Sequence, residues 1–462
     1  MQIPILNGIG KDWRRSYPVN MIPVPVPTGI SAGYFRPSDG IIEFGTGPGI
    51  DRGGIQWNGV LYRVMGSDLC QISPAGTATI IGTIPGSDTV TMNYSFDRLS
   101  ISASGQLYYY DGASLTKVSD PDLGTVIDHE WIDGYFLTTD GTSLVVTELI
   151  DPLQVNPLKY GSSEADPDQI LALVKIRNEI YVLNRNTTEV FDNVGGEFFP
   201  LGRIEGAQIQ KGCIGTHTCC RYMENLVFLG SGRNESPSIY IGSNGESIKL
   251  STREIDEILL EYTEYQLSEA LLETRNDRAN QLLYVHLADK TLVYDGAASQ
   301  VIGEPVWFIL TSSTSGFSQY RARNLVWCYD KWISGDTTTS KLGYFTDDIG
   351  SHYGSKVRWE FQTSIIYNNS RGALLNELEL VAITGDIAIG DDPSISTAYS
   401  IDGSTWSQEK YRSCGKIGDR RKRIVWYKQG NMRNWRIQRF SGDSSAHLHF
   451  GRLEAQIEPL GV

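Results

Sequence analysis

Three thiols and an imidazole fall close together at Cys213, His217, Cys219 and Cys220, residue types that ligate zinc. No second Cys-x-x-Cys pair accompanies them, and the adjacent Cys219 and Cys220 would point to opposite faces of a strand. His447 and His449 share one strand face but bring only two ligands. Loop carboxylates at Asp166, Asp168, Asp391 and Asp392 are the types a glycosidase pairs, yet in loops they read as solvated turn residues or adventitious cation sites. Gly45 to Gly54 (GTGPGIDRGG) resembles a phosphate cradle only in composition. It lacks Gly-Lys-Ser/Thr and leads into a strand pattern, so it reads as a turn between sheets. No catalytic residue, cofactor or metal is expected.

Two further motifs stand out. Ser400-Ile-Asp402-Gly403-Ser-Thr-Trp406 is close to the Asp-box hairpin of sialidase propellers, one residue shorter, with Gly403 supplying the turn and Trp406 packing after it. Arg420, Arg421, Lys422, Arg423, Lys428, Arg433, Arg436 and Arg439 cluster around Trp426 and Trp435. Alternation along the two strands predicts that these charges lie largely on one sheet face. That face is either solvated, with Arg stacked on Trp, or a binding face for an acidic partner, with nucleic acid a third choice.

The elements that would position these residues are strands. Leu282 to His286 and Thr291 to Asp295 form a hairpin signature of β-branched and aromatic residues around Ala288-Asp289-Lys290. Variants recur, and Leu61, Leu107, Phe136, Tyr181, Val227, Leu283 and Val326 mark equivalent points at steps of 46, 29, 45, 46, 56 and 43 residues. Most steps match one propeller blade. A single blade is too thin to bury its faces, and packing blades about an axis covers both. The alternative is an unrelated multi-sheet β fold.

The chain divides into three expected regions. Residues 1–44 hold alternating Pro23, Pro25 and Pro27 and read as an extended arm, because proline cannot donate to a strand ladder. Residues 45–350 read as the mostly β, propeller-like array. A helical insert over 251–275 opens with the capping boxes Ser251-x-x-Glu254 and Thr263-x-x-Gln266. Residues 351–462 read as an antiparallel β-sandwich.

Charge and composition exclude several classes. The 40 Lys and Arg against 54 Asp and Glu give a net charge of −14. Residues 351–462 hold 15 basic against 12 acidic residues, leaving 25 against 42 before them, which argues against a general nucleic-acid binder. No apolar run is long enough to span a bilayer, and the first twenty residues do not read as a secretory signal. The six scattered cysteines are expected to be reduced thiols.

Pro18-Val-Asn-Met21, Gln210-Lys-Gly212, the helical insert running into Glu273-Thr-Arg275, the hairpin of Leu283 to Asp295, SIDGSTW from Ser400 and RRKRIVWYKQGNMRNWRIQRF from Arg420 occur in an order that resembles the packaged-DNA stabilisation proteins. These are the tail hub or nozzle subunits of short-tailed bacteriophages. The resemblance runs from about residue 8 to the end. It implies a non-enzymatic virion protein that forms a ring with itself, a hexamer, below the portal and its adaptor, closing the channel and retaining packaged DNA. Its other implied partners are a tailspike or tail fibre and a tail needle or plug. DNA would pass through for ejection without sequence-specific binding, past an acidic lining. Assembly in the host cytoplasm and residence in the virion tail follow. The alternative is a propeller-fold carbohydrate-active enzyme or a host-binding adhesin of a tail.

Overall fold

A computed structural model describes residues 2–3, 17–26, 33–164, 166–196, 198–243, 245–278, 280–368, 371–385, 387 and 392–460. Seven antiparallel sheets follow one another among these residues, mostly as up-and-down meanders. Blade one runs from Asp51–Trp57 to Ala78–Thr83, blade two from Thr91–Tyr94 to Leu115–Lys117, and blade three from Asp128–Ile132 to Val155–Ser162. Blade four spans Ile170–Ile176 to Leu201–Arg203, blade five Gly212–Cys213 to Glu246–Lys249, and blade six Leu271–Asp277 to Trp307–Leu310. Blade seven takes Ala322–Cys328, Lys331–Asp336 and Lys341–Thr346, and its outer strand is Gly40–Thr46 from far earlier in the chain.

The innermost strands pack in a closed ring, with that of blade seven against that of blade one. Seven apolar clusters correspond to the seven blade-to-blade interfaces. Middle strands such as Val60–Met65 and Asn225–Ser231 are therefore buried at almost every position, because each blade is covered on both faces. Alternation then decides which neighbour a side chain meets. Leu61 and Met65 face blade seven, whereas Tyr62 and Val64 face blade two.

Strand assignment explains the shortest step of the repeat. Leu61, Phe136, Tyr181, Val227 and Leu283 lie on the second strands of their hairpins, but Leu107 sits on the third strand of blade two and Val326 on the first of blade seven. The short step of 29 residues before Phe136 follows from that shift.

Among the described residues three α-helices interrupt the array: α1 (Arg253–Leu259), α2 (Glu264–Ser268) and α3 (Gly296–Ile302). The capping box of Thr263 and Gln266 opens α2 as its spacing predicts. Thr252, not Ser251, caps α1; the Ser251 hydroxyl instead bonds Asp256 at 2.6 Å. Strand begins again at Leu271, so the helical insert is shorter than 251–275. Helix α3 was not anticipated. It begins where the Asp295 carboxylate accepts from the amides of Ala297 and Ala298 and ends at Gly303 in the left-handed region.

The C-terminal unit is a sandwich of two antiparallel sheets. One contains Arg358–Gln362, Trp435–Asp443, Ser394–Ser400 and Lys410–Ser413. The other contains Ala373–Ile383, His449–Pro459 and Ile424–Tyr427, and it also recruits Met21–Pro25 and Gly33–Pro37. Residues 1, 4–16 and 27–32 of the expected arm, Pro27 among them, lie outside the described residues. The rest departs from an unpaired arm, for Met21–Pro25 pairs with Gly33–Pro37 as the sheet's edge strand. Pro23 and Pro25 are two apart, so their missing N–H groups fall on the same side, which suits an edge. Between the sheets Phe361 meets Phe35, Phe440 and Phe450 at 4.9, 5.4 and 5.3 Å.

Propeller and sandwich share a core. The cluster between blades five and six continues through α1 into the sandwich aromatics. Val19 bridges both units, lying parallel to Ile309 of blade six and antiparallel to Glu360 of the sandwich.

Candidate assembly surfaces

The eight basic residues do not share a face. Ile424–Tyr427 and Trp435–Asp443 belong to different sheets of the sandwich, so alternation within each strand could not place their charges together. Arg420, Arg421 and Lys422 are exposed on the loop leading into Ile424–Tyr427, and Lys428 and Arg433 are exposed beyond it. Arg423 lies across Glu377 at 3.1 Å and Glu379 at 2.5 Å, and its guanidinium holds the Glu379 carboxyl below its usual range. Arg439 is half-buried, 3.3 Å from Glu409 and stacked on Trp406 at 4.3 Å.

Arg436 is wholly buried, and this corrects its expected place on a binding face. Its guanidinium donates to the Gln429 carbonyl at 2.9 Å, bonds the Gln438 side chain, and lies 4.1 Å over the Tyr399 ring. Burial pushes its pKa down to about 10. A cation held this way organises a core.

The other motifs resolve into structural roles. Cys213 and Cys219 pack between blades four and five, while Cys220 turns to the cluster between blades five and six. Among the described residues no group of three or more His, Cys, Asp or Glu is gathered for a metal. The His447 and His449 rings stand perpendicular at 6.3 Å. Asp402 accepts from the Thr405 hydroxyl at 2.5 Å and from the amides of Thr405 and Ser404 at 2.8 and 2.9 Å, which holds its carboxyl well below the ordinary range. Asp391 lies outside the described residues. Asp168 accepts from the Asn186 amide at 2.6 Å, tying one loop to the next turn. In the glycine run, a Cβ at Gly45 would stand 2.0 Å from the Gly76 carbonyl oxygen. The glycines there allow blade seven's outer strand to meet blade one.

Sequence reading missed the carboxylates of the propeller throat. Buried Asp128 accepts from the Thr91 hydroxyl of blade two at 2.7 Å and the Leu173 amide of blade four at 2.8 Å. Glu130 reaches the Lys175 amide at 3.4 Å, and Glu273 accepts from the Leu325 amide of blade seven at 2.6 Å. Asp51 binds Arg63 at 2.9 Å and Asn324 of blade seven at 2.7 Å. Each of these joins an inner strand to the next blade. Burial raises Asp128 and Glu130 to about 7 and lowers His129 to about 3. The sequence signal was the density of ionisable residues in these first strands, as in Asp128-His129-Glu130 and Glu273-Thr274-Arg275.

One mouth of the throat holds a cavity of about 720 Å³ lined by hydroxyls, His217 and Arg323. Helix α2 leans over it. Arg185 of blade four grips Glu264 at 2.6 Å, and Gly215 lets the α2 backbone approach so closely that a Cβ would sit 2.2 Å from the Ser268 carbonyl oxygen.

Asn20 is the second missed feature. Its side chain donates to the Thr311 carbonyl at 2.9 Å and the Arg358 carbonyl at 2.7 Å, and accepts from the Thr311 amide at 3.1 Å. One side chain thus clamps blade six to the sandwich.

These features define a seven-bladed propeller locked to a β-sandwich, whose throat carboxylates serve as blade-to-blade ties. A family model described as bacteriophage P22 Gp10, β-propeller, matches residues 1–350, and one described as bacteriophage P22 Gp10, β-sandwich, matches residues 358–458. The chain belongs to this phage Gp10 family. The tail hub protein gp10 of Salmonella phage P22 is 27% identical over 458 residues, covering 94% of each chain. Solved structures align loosely. The N-terminal domain of Nup159 shows 8% identity over 72% of this chain and 99% of its own at a TM-score of 0.42. The Pan2 WD40 domain of Neurospora crassa shows 10% identity over 66% and 95% at 0.40.

Proposed function

We propose that this chain is the structural subunit of a phage tail hub, acting without catalysis. The observation that carries the reading is the match of both domains, in order and over nearly the whole chain, to a tail hub protein. A heterologous contact repeated by rotation closes a ring. Such a ring of copies, six in number, would seat below the portal adaptor, retain packaged DNA, and carry tailspikes or fibres and a needle or plug. It would assemble in the host cytoplasm and remain in the virion tail. The acidic residues of the first 350 positions would line the channel and keep DNA from adhering as it passes.

The exposed Arg420, Arg421, Lys422, Lys428 and Arg433 are the part of the basic cluster we propose for contact with a neighbouring subunit or the adaptor. Their charge is free to meet an acidic surface.

Electron microscopy of the purified protein, alone and mixed with virion heads that lack it, tests the reading. Rings with a central channel docked under the portal are expected. A monomer indifferent to heads would discard it.

A further inference from the structure

The strands Ala322–Cys328 and Lys331–Asp336 of blade seven are joined by a two-residue turn, Tyr329 and Asp330, both in the left-handed region at φ 54 and 57. Such a turn matches the twist of a hairpin and fixes its register. Trp327 and Trp332 consequently stand directly opposite each other, with ring centroids 5.7 Å apart and planes at 61°. Trp327 is 51% exposed and Trp332 is half-buried, so the pair presents aromatic surface to solvent.

The two rings form one wall of a cleft of about 680 Å³ between blades six and seven. Tyr344 and Phe345 extend that wall, with Lys331 lying 4.3 Å over the Tyr344 ring. The turn of blade six, Arg275 to Arg278, makes the other. Its guanidiniums are already fixed: Arg278 pairs with Asp347, and Arg275 pairs with Asp277 and with Asp39 at 2.8 Å. Asn276 and Asp330 are exposed in the same cleft. Among the described residues the lining holds aromatic rings, carboxylates, basic groups, one Asn and one Thr, and no aliphatic side chain.

We propose that this cleft is a binding site for a neutral glycan. A pyranose ring presents one apolar C–H face, which packs on an aromatic plane, and a rim of hydroxyls that each donate and accept. The two walls supply those two chemistries separately, on fixed groups. Pockets for apolar small ligands are lined mainly by hydrophobic side chains, whereas most of this lining is polar or charged. Trp, Tyr and Arg also make hot spots for protein partners, but both arginines here are already paired within the chain. A polyanion is disfavoured, since four Asp (39, 277, 330 and 347) face three basic groups (Arg275, Arg278 and Lys331). The proposal does not depend on ring formation, because the cleft is complete within one chain.

The test applies purified protein to an array of neutral hexose and N-acetylhexosamine oligosaccharides. Tryptophan fluorescence titration with the strongest binder follows, on the unaltered protein and on Trp327→Ala, Trp327→Phe and Asp330→Ala. Binding is expected to weaken about tenfold or more in Trp327→Ala, which corresponds to about 1.4 kcal/mol, to recover partly in Trp327→Phe, and to weaken in Asp330→Ala. Trp327 is exposed, so melting temperatures should stay together and confirm that each variant is folded. Absence of any bound oligosaccharide, or equal binding by folded Trp327→Ala, overturns the proposal. So does a Trp327→Ala protein that binds no less sugar yet fails to join virion heads, which would make the cleft a protein contact.

Discussion

The Val19 amide donates to the Glu360 carbonyl at 2.8 Å, and the Glu360 amide returns the bond to Val19 at 3.0 Å. Residues 18–20 also exchange backbone bonds with Ile309, so a short segment near the start of the chain is a shared strand between blade six and the sandwich. The two units are joined by backbone hydrogen bonds and a common core.

Asn20 should therefore control how the units melt. It sits at φ 50 and satisfies three buried backbone groups. Asn20→Ala strands those groups and puts a Cβ residue without a compensating side chain in the left-handed region, a loss of about 3 kcal/mol or more. Scanning calorimetry is expected to split one transition into two. A single unshifted transition would show that the shared core alone couples the units.

The throat should make stability depend on pH. The folded pKa of Asp128, about 7, lies above its ordinary value of 3.8. Its burial therefore costs nothing below the ordinary value, and stability is lost as pH rises toward about 7. Asp128→Asn keeps an acceptor for the Leu173 amide and removes the titration. The stability difference, Asn variant minus unaltered protein, should grow by a few kcal/mol between about pH 4 and 7 and then level off. Urea midpoints at pH 5 and 8 measure it. His129, lowered to about 3, acts in the opposite sense: burying it neutral costs stability as pH falls below 6.5 toward 3. The comparison with Asp128→Asn cancels that contribution.

The basic residues should separate by burial. Arg436→Glu places an anion where a buried cation bonds Gln429 and Gln438, and is expected to cost more than about 3 kcal/mol and yield insoluble protein. Arg423→Glu, at the surface beside Glu377 and Glu379, should cost far less than Arg436→Glu and leave the protein soluble. The triple change at Arg420, Arg421 and Lys422 to Glu should leave the melting temperature within about 1 °C while weakening assembly. Melting curves and head-binding assays on the three proteins distinguish folding from contact.

Ring closure should depend on Gly76. A Cβ there would lie 1.8 Å from the Phe44 carbonyl oxygen at φ 82, whereas Gly59 at φ 79 has open space around it. Gly59→Ala should cost about 1 kcal/mol from the backbone alone. Gly76→Ala adds a clash with backbone that must move, for a total of about 3 kcal/mol or more. Equal midpoints in guanidinium would mean that blade seven's outer strand does not clamp the ring.

Much of the fold was legible because its signals are local. Alternating apolar residues mark the strand pairs of each blade, Thr263 and Gln266 mark the start of α2, and Asp402 and Gly403 mark a turn, each within a few residues. The order of motif blocks carried the family. What periodicity leaves open is the partner of each strand, since a period of two says that a residue alternates faces without saying what covers either face.

The sequence by itself therefore determined a mostly β chain of repeated hairpins followed by a sandwich, and its kinship to a tail hub protein. Tertiary structure alone decided that seven blades close through Gly40–Thr46, that Met21–Pro25 and Gly33–Pro37 serve the sandwich, that Arg436 is buried while Arg420 is exposed, and that Trp327 faces a cleft. The first two depend on contacts between residues hundreds of positions apart, and the last two on contacts that bring separate strands and turns of the chain together. Such contacts follow from which apolar faces remain uncovered once the local elements have formed.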